Sequence, residues 1–396
     1  MKYNFPHLKH RLFDPQLYYA GLDPAESREY CATLASYPWF GVSGLAEYHS
    51  STQIQAEWRK DALERINDVW TSAPPTDVNV IAGAVRDCIE FQRRLGCWAI
   101  ILPSPLTSNP GSDYAMELTW LDSALDYIRS KEQLNAPVFA TIAITDTCVR
   151  NIDPHDNRLL GVILDTVSAR KIDGVYIVLE QGSETSEERN CGNTRALRSI
   201  LHMVYLFAKD CHLRVGVNFL GPFGLVCEAV GAEWWASGWY KSMYRLRLAD
   251  KIGTGRAFPS YWSYSTAADI HLDYDFDKIT ATGLLNRIAD KTSASSVLLA
   301  AADRSIPVRN VPSWEYRQSN VEAAQEHFLL SAINAERTHA KYSGVARLNF
   351  VGKWLEQAMK NANDVGRVLG LGAKTKMQHV QAWRDAFIAF RRDHRC

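Results

Sequence analysis

The stretch LRVGVNFLGPFGLVCEAVGAEWWASGWYKSMYRLR, residues 213–247, decides the reading of the fold. An apolar strand pattern over 214–219 runs into a glycine turn, and a short apolar helix over 225–230 follows. A second strand over 233–237 then leads into a cluster of polar, aromatic and basic residues. Strand, helix, strand and then a polar rim is the order of a parallel α/β protein, in which ligand-binding groups lie where strands end and loops begin. On this reading Asn218, Ser237, Lys241 and Arg245 share one rim.

The same alternation extends upstream. Strands are expected at 39–43, 98–103, 138–144, 174–180, 214–219 and 233–237, each a near-continuous apolar run, as strands buried on both faces require. Helices with an apolar period near 3.6 are expected at 53–70, 77–95, 114–129, 157–170 and 193–209. Six strands with short connections predict a (β/α)8 TIM-type barrel over 38–255, with 17–22 and 296–301 as the remaining strands. A doubly wound open sheet is the alternative. Residues 1–37 form an N-terminal extension. The aromatic segment RAFPSYWSYSTAADIHLDYDFDKI, residues 256–279, opens a linker reaching to 320, and helices at 321–339, 345–362 and 374–395 make a small helical C-terminal subdomain.

The 396 residues are 46% hydrophobic, enough for a large core, and the 44 acidic and 44 basic residues balance. Bulk charge therefore points to no nucleic-acid or acidic partner, and a local patch must carry any such contact. Eight scattered cysteines without a CxxC pair read as reduced core thiols. With no apolar run near the length of a bilayer and no signal-peptide core at the start, the expected location is cytoplasmic, without membrane contact.

Strand ends supply the candidate chemistry: Ser43, Ser104, Thr145, Asp146, Glu180, Gln181, Asn218, Glu233 and Ser237. Acids within reach of one another can divide into proton donor and base when their surroundings separate their pKa values, which marks Asp146 and Glu180, with Glu233 as a third candidate. A polar residue at a strand end also serves simply to cap a helix or turn a loop. Lys241, Arg245, Arg247, Lys251 and Arg256, interleaved with Trp239, Tyr240 and Tyr244, suit a nucleotide or nucleic-acid backbone, since cations meet phosphate and rings stack on bases. The same stretch also suits a solvated loop with its aromatics packed beneath the barrel. HxH and HExxH pairs, a close cysteine cluster, GxGxxG after a strand and GxxxxGK[ST] are all missing, so no metal or dinucleotide cofactor is expected.

The LGPFGL turn, the GAEWWASG strand that follows, the aromatic linker and the helix AAQEHFLLSAINAE together resemble the tRNA-guanine transglycosylase superfamily, over about residues 75–340. That resemblance implies a (β/α)8 barrel exchanging a guanine-type base in nucleic acid, followed by a zinc-bearing helical subdomain. Where the family's G-x-D-x-F-D strand carries its aspartate nucleophile, this chain aligns Ala236, and only the first acid survives, as Glu233; a methyl group forms no covalent intermediate. The family's zinc cysteines fall on Ser296, Leu298 and Ala301, leaving His327 alone. Divergent members also occur beside deazaguanine-synthesis-like enzymes in bacterial antiphage operons.

The expectation is thus a transglycosylase-like barrel that binds a purine or deazaguanine-type base or nucleic acid, in nucleic-acid modification or antiviral defence. Trp235 or Tyr244 would stack on the base, Gln181 and Asn218 read its edge, and Lys241 and Arg245 hold phosphate. Two alternatives remain: a non-enzymatic module with a protein partner, and an unrelated barrel enzyme acting on a phosphorylated or flavin-type ligand.

Overall fold

The computed structural model describes residues 11–42, 52–131, 135–182, 190–237, 244–249, 259–315, 322–372, 375 and 377–396, with the backbone alone for 52–59. Its centre is a parallel sheet built from β1 (Ile100–Ile101), β2 (Leu106–Thr107), β3 (Val138–Thr145), β4 (Gly174–Glu180), β5 (Arg214–Asn218) and β6 (Trp234–Ala236). β1 and β2 lie on the same side of β3, one beyond the other, so the sheet has five lanes in chain order. Helices α1 (Pro24–Ala35), α2 (Thr52–Val69) and α3 (Val78–Arg94) precede it. α4 (Ala115–Arg129), α5 (Arg158–Ser168), α6 (Thr194–Tyr205) and α7 (Gly224–Val230) are the crossovers.

This order of lanes is that of a barrel wound halfway and stopped. The expected closed (β/α)8 barrel is not formed, because the segments assigned to its remaining strands are helical or turn. Residues 39–43 begin in a 3-10 turn, Pro38–Phe40, whose first residue is a proline already set at helical φ; Ser43 lies outside the described residues. Residues 17–22 form the 3-10 turn Leu17–Gly21. Residues 296–301 lie in the helix Ser296–Asp303, SVLLAAAD, whose leucines and alanines favour helix over strand.

Strand pairing sorts the sheet into two faces. Ile142, Ile144, Val175, Ile177, Leu179, Val215 and Val217 make an apolar convex face, all fully buried. The concave face runs in rows: Phe139, Gly174 and Arg214; then Thr141, Tyr176, Gly216 and Trp234; then Ala143, Val178, Asn218 and Ala236; then Thr145 and Glu180. Trp234 stacks on Tyr176 with ring centroids 5.5 Å apart, passing over Gly216, where a Cβ would come within 2.1 Å of the indole. Glycine is needed at 216 for that approach.

The N-terminal segment fills the hollow that missing strands would otherwise enclose. Trp98 N donates to Arg11 O at 2.8 Å and Trp39 Nε1 to Pro15 O at 2.8 Å, while Leu17, Tyr18, Tyr19, Ala20 and Leu22 are buried. A half-barrel plugged in this way buries its concave face without closing.

The expected linker is a folded unit of its own. β7 (Ser260–Ser263) and β8 (Ala268–His271) pair antiparallel, and α8 (Asp277–Ala281), α9 (Leu285–Ile288) and α10 (Ser296–Asp303) follow. Tyr261, Ile270, Phe276, Leu298 and Trp314 lie in a second core. The last helices, α11 (Glu322–His339), α12 (Gly344–Gly366) and α13 (Gln378–Asp393), fall close to expectation, and residues from all three join the half-barrel core. Among the described residues no helix is long and apolar enough to cross a membrane.

Candidate functional site

At the carboxyl edge of the sheet, β3 ends at Thr145 and the next residue, Asp146, heads a 3-10 turn with its side chain fully buried. The neighbouring strand ends at Glu180, also buried. Burial pushes the Glu180 carboxyl above the ordinary range; the charge of Asp146 adds to that rise, and Arg247 opposes it. Two acids on adjacent strand ends thus stand in one another's field, with one biased toward its protonated form.

The segment 244–249 crosses this rim. Leu246 bridges to Glu180, Arg245 bridges to Leu220, and Gln181 N donates to Leu246 O at 2.8 Å. The Glu180 carboxylate accepts from Gly182 N at 3.0 Å and Leu248 N at 3.1 Å, and so fastens the crossing segment to the sheet. Gln181 Nε2 donates to Phe219 O at 2.8 Å. Asn218 turns inward: its Nδ2 donates to Asp14 Oδ2 at 3.3 Å, beside Tyr176.

Asp14 is the residue that sequence reasoning missed. Its carboxylate accepts from Gln16 N at 3.1 Å, Tyr18 OH, Tyr176 OH at 2.8 Å and Asn218 Nδ2. Burial still raises its pKa, although every one of these bonds pulls it down. An acid set within FDPQLYYA, where nearly every neighbour is apolar or aromatic, is the signal that was available.

Of the expected site residues, the structure brings Asp146, Glu180, Gln181, Asn218 and the backbone of Arg245 to one edge. Ser237 follows β6, half-buried, at the same edge. Lys241 lies outside the described residues. Three do not join. Glu233 precedes β6 and sits at the opposite, amino edge, paired with Arg214 through two bonds of 2.6 Å, which hold its carboxyl below the usual range. Trp235 faces the convex side against Gly224, where a Cβ would meet its ring at 2.4 Å. Tyr244 is buried and stacks on Phe328 of α11 at 5.3 Å, so its face is taken.

Glu233 is therefore expected to be dispensable. Glu233→Gln removes a partly exposed ion pair and lowers unfolding free energy by no more than about 1 kcal/mol, measured by urea denaturation, with ligand binding unchanged.

His327, the remnant of the resembled zinc set, is a satisfied core residue. It lies between Thr292 Oγ1 at 2.9 Å and Trp262 O at 2.8 Å, and stacks on Tyr261. Among the described residues no group of three or more His, Cys, Asp or Glu side chains could hold a metal ion. Comparison of the chain with family models, curated proteins and solved structures finds no match.

Proposed function

We propose that the carboxyl rim of the half-barrel binds a purine-type base, free or within a nucleic acid, and that Asp146 and Glu180 are the groups that meet it. The observation carrying this reading is the pair of buried carboxyl groups on neighbouring strand ends, with Glu180 pushed toward its protonated form. A guanine-type base presents adjacent N–H donors and a carbonyl oxygen along one edge. An ionised carboxylate accepts from the first and a protonated carboxyl donates to the second, so the pair complements that edge. The same division of roles suits general acid and base work on a bound base. Ala236 rules out a covalent intermediate at the position where the resembled family forms one.

The structure narrows the set of residues available for that role. Trp235 and Tyr244 are held by packing, Asn218 by Asp14 and Gln181 by Phe219, and Glu180 already accepts from Gly182 N and Leu248 N, so recognition falls to Asp146, to the carboxyl proton and remaining lone pairs of Glu180, and to Ser237. Calorimetry with guanine, 7-deazaguanine bases and single-stranded RNA and DNA tests this. Binding by the wild-type chain that weakens at least about tenfold in Asp146→Asn and Glu180→Gln is the expected result. Silence from every probe removes the reading.

A second reading, a module that serves a protein partner, is favoured by the plugged hollow: residues 14–22 pack against the concave side of the sheet, at Tyr176 and Asn218, and fill it below the rim. Such a module keeps its biological effect in both amide variants.

A further inference from the structure

Outside the pair of acids, three imidazoles meet where the end of α13 touches α6. The ring of His202, at the last turn of α6, lies 4.6 Å from that of His155 and 5.2 Å from that of His394, and the outer two rings are 6.0 Å apart. His202 Nδ1 and His394 Nε2 share a hydrogen bond of 3.1 Å. Tyr205 and Phe390 pack against the His394 ring. The charged groups facing the cluster come from each surrounding element. Arg198 on α6 bonds Asp393 of α13 at 2.5 Å and Asp153 of the 150–157 loop at 2.6 Å, and Asp210 adds its charge from beyond α6.

We propose that α13 is a proton-released strap, latched to α6 by the His202–His394 hydrogen bond and freed when both rings become cations. A bond between two neutral imidazoles needs one donor and one acceptor nitrogen, and it survives a first added proton as a charge-assisted bond. A second proton leaves donors facing donors. Two cations then stand 3.1 Å apart beside His155 and the Arg198 guanidinium, with Asp393, Asp153 and Asp210 among the described residues to balance them. His202 is buried while His155 is exposed, so the cluster meets solvent on its His155 side.

The strap has a destination. α13 packs along α6, and its Trp383 donates from Nε1 to Cys191 O at 3.0 Å and lies against Phe223 at 5.4 Å. Cys191 belongs to the connection from β4 to α6, the strand-end loop that leaves the rim just after Glu180. Release of α13 therefore frees Cys191 and Phe223, which follow β4 and β5 on the carboxyl side of the sheet, whichever ligand the rim takes.

Hydrogen exchange, corrected for the intrinsic pH dependence, reads this directly. Protection of amides 384–394 is expected to fall at least about tenfold from pH 7 to pH 4.5, while that of β3 is kept. The fall should steepen below about pH 6, with the slope of log protection against pH approaching one, because the bond keeps a first proton and breaks on the second. In His394→Gln and His202→Gln the fall should shrink below about threefold. Protection of 384–394 that stays level from pH 7 to pH 4.5 overturns the latch, as does α13 losing protection in step with β3, or an undiminished fall in both variants.

Discussion

Asp14→Ala lowers the unfolding free energy by about 3–5 kcal/mol, the cost of leaving several buried neutral donors without their common acceptor. Two phenols and one amide then lose their shared acceptor: Tyr18, Tyr176 and Asn218 all donate to Asp14 Oδ2. Each is buried, and an unmet buried donor costs about 1–3 kcal/mol before neighbours adjust. Asp14→Asn, which keeps one oxygen, should cost no more than about 1–2 kcal/mol. The gap between wild type and Asp14→Asn also carries a sign. A carboxyl whose folded pKa is raised contributes stability at low pH that is lost as pH rises through the folded value. Wild type should thus gain on the amide variant as pH falls. Urea titrations at several pH values settle it; an Asp14→Ala loss under about 1 kcal/mol would mean the N-terminal plug is held by its apolar residues alone.

What the sequence revealed was local, and what it concealed was closure. GVYIVLE at Gly174–Glu180 reads as a two-sided buried strand because every residue is apolar or ends the run, and the strand has those bounds. The crossover helices show their period equally well. Whether five lanes close into eight is not a property of any one segment. It depends on what fills the hollow, and the filler, LYYAG at Leu17–Gly21, is tied in through Asp14, which joins Tyr18 to Tyr176 of a strand 162 residues away. The same limit misplaced two site residues. Tyr244 looked like a stacking platform because its sequence neighbours are basic, yet its partner Phe328 arrives from a distant helix. Glu233 looked like a strand-end acid, but it opens the strand. At roughly 3.3 Å per residue it stands about 13 Å from Ser237, on the wrong edge. The segment SYWSYSTAADIH read as linker because its alternation is broken by the turn at 264–267, whereas its two halves pair as a hairpin.

Protonation of the folded chain gives the second large effect, because buried bases and buried acids titrate in one window with opposite signs. Burial lowers His202, His327 and His339 to about 4, so between the ordinary imidazole pKa and that value the unfolded chain takes up protons and the folded chain does not. Each costs up to about 3 kcal/mol of stability as pH falls. Glu228 works the other way. Burial, and then the charge of Glu336, raises it to about 7, with Arg347 opposing at 2.8 Å; Asp290 is raised to about 6 by burial. As pH falls from 8 toward 4.5 the folded chain protonates these acids before the unfolded chain does, which returns stability. Three imidazoles outweigh two acids over this range, so the wild-type chain should lose about 2 kcal/mol of unfolding free energy from pH 7 to pH 5, and lose it less steeply below about pH 4, where both contributions near completion. Glu228→Gln removes one compensating acid, so its stability should drop by about 3 kcal/mol more than that of wild type between pH 8 and pH 4.5. Parallel pH curves for the two proteins would show that Glu228 keeps its charge against Arg347 throughout, and that the junction of α7 and α12 is an ordinary ion pair.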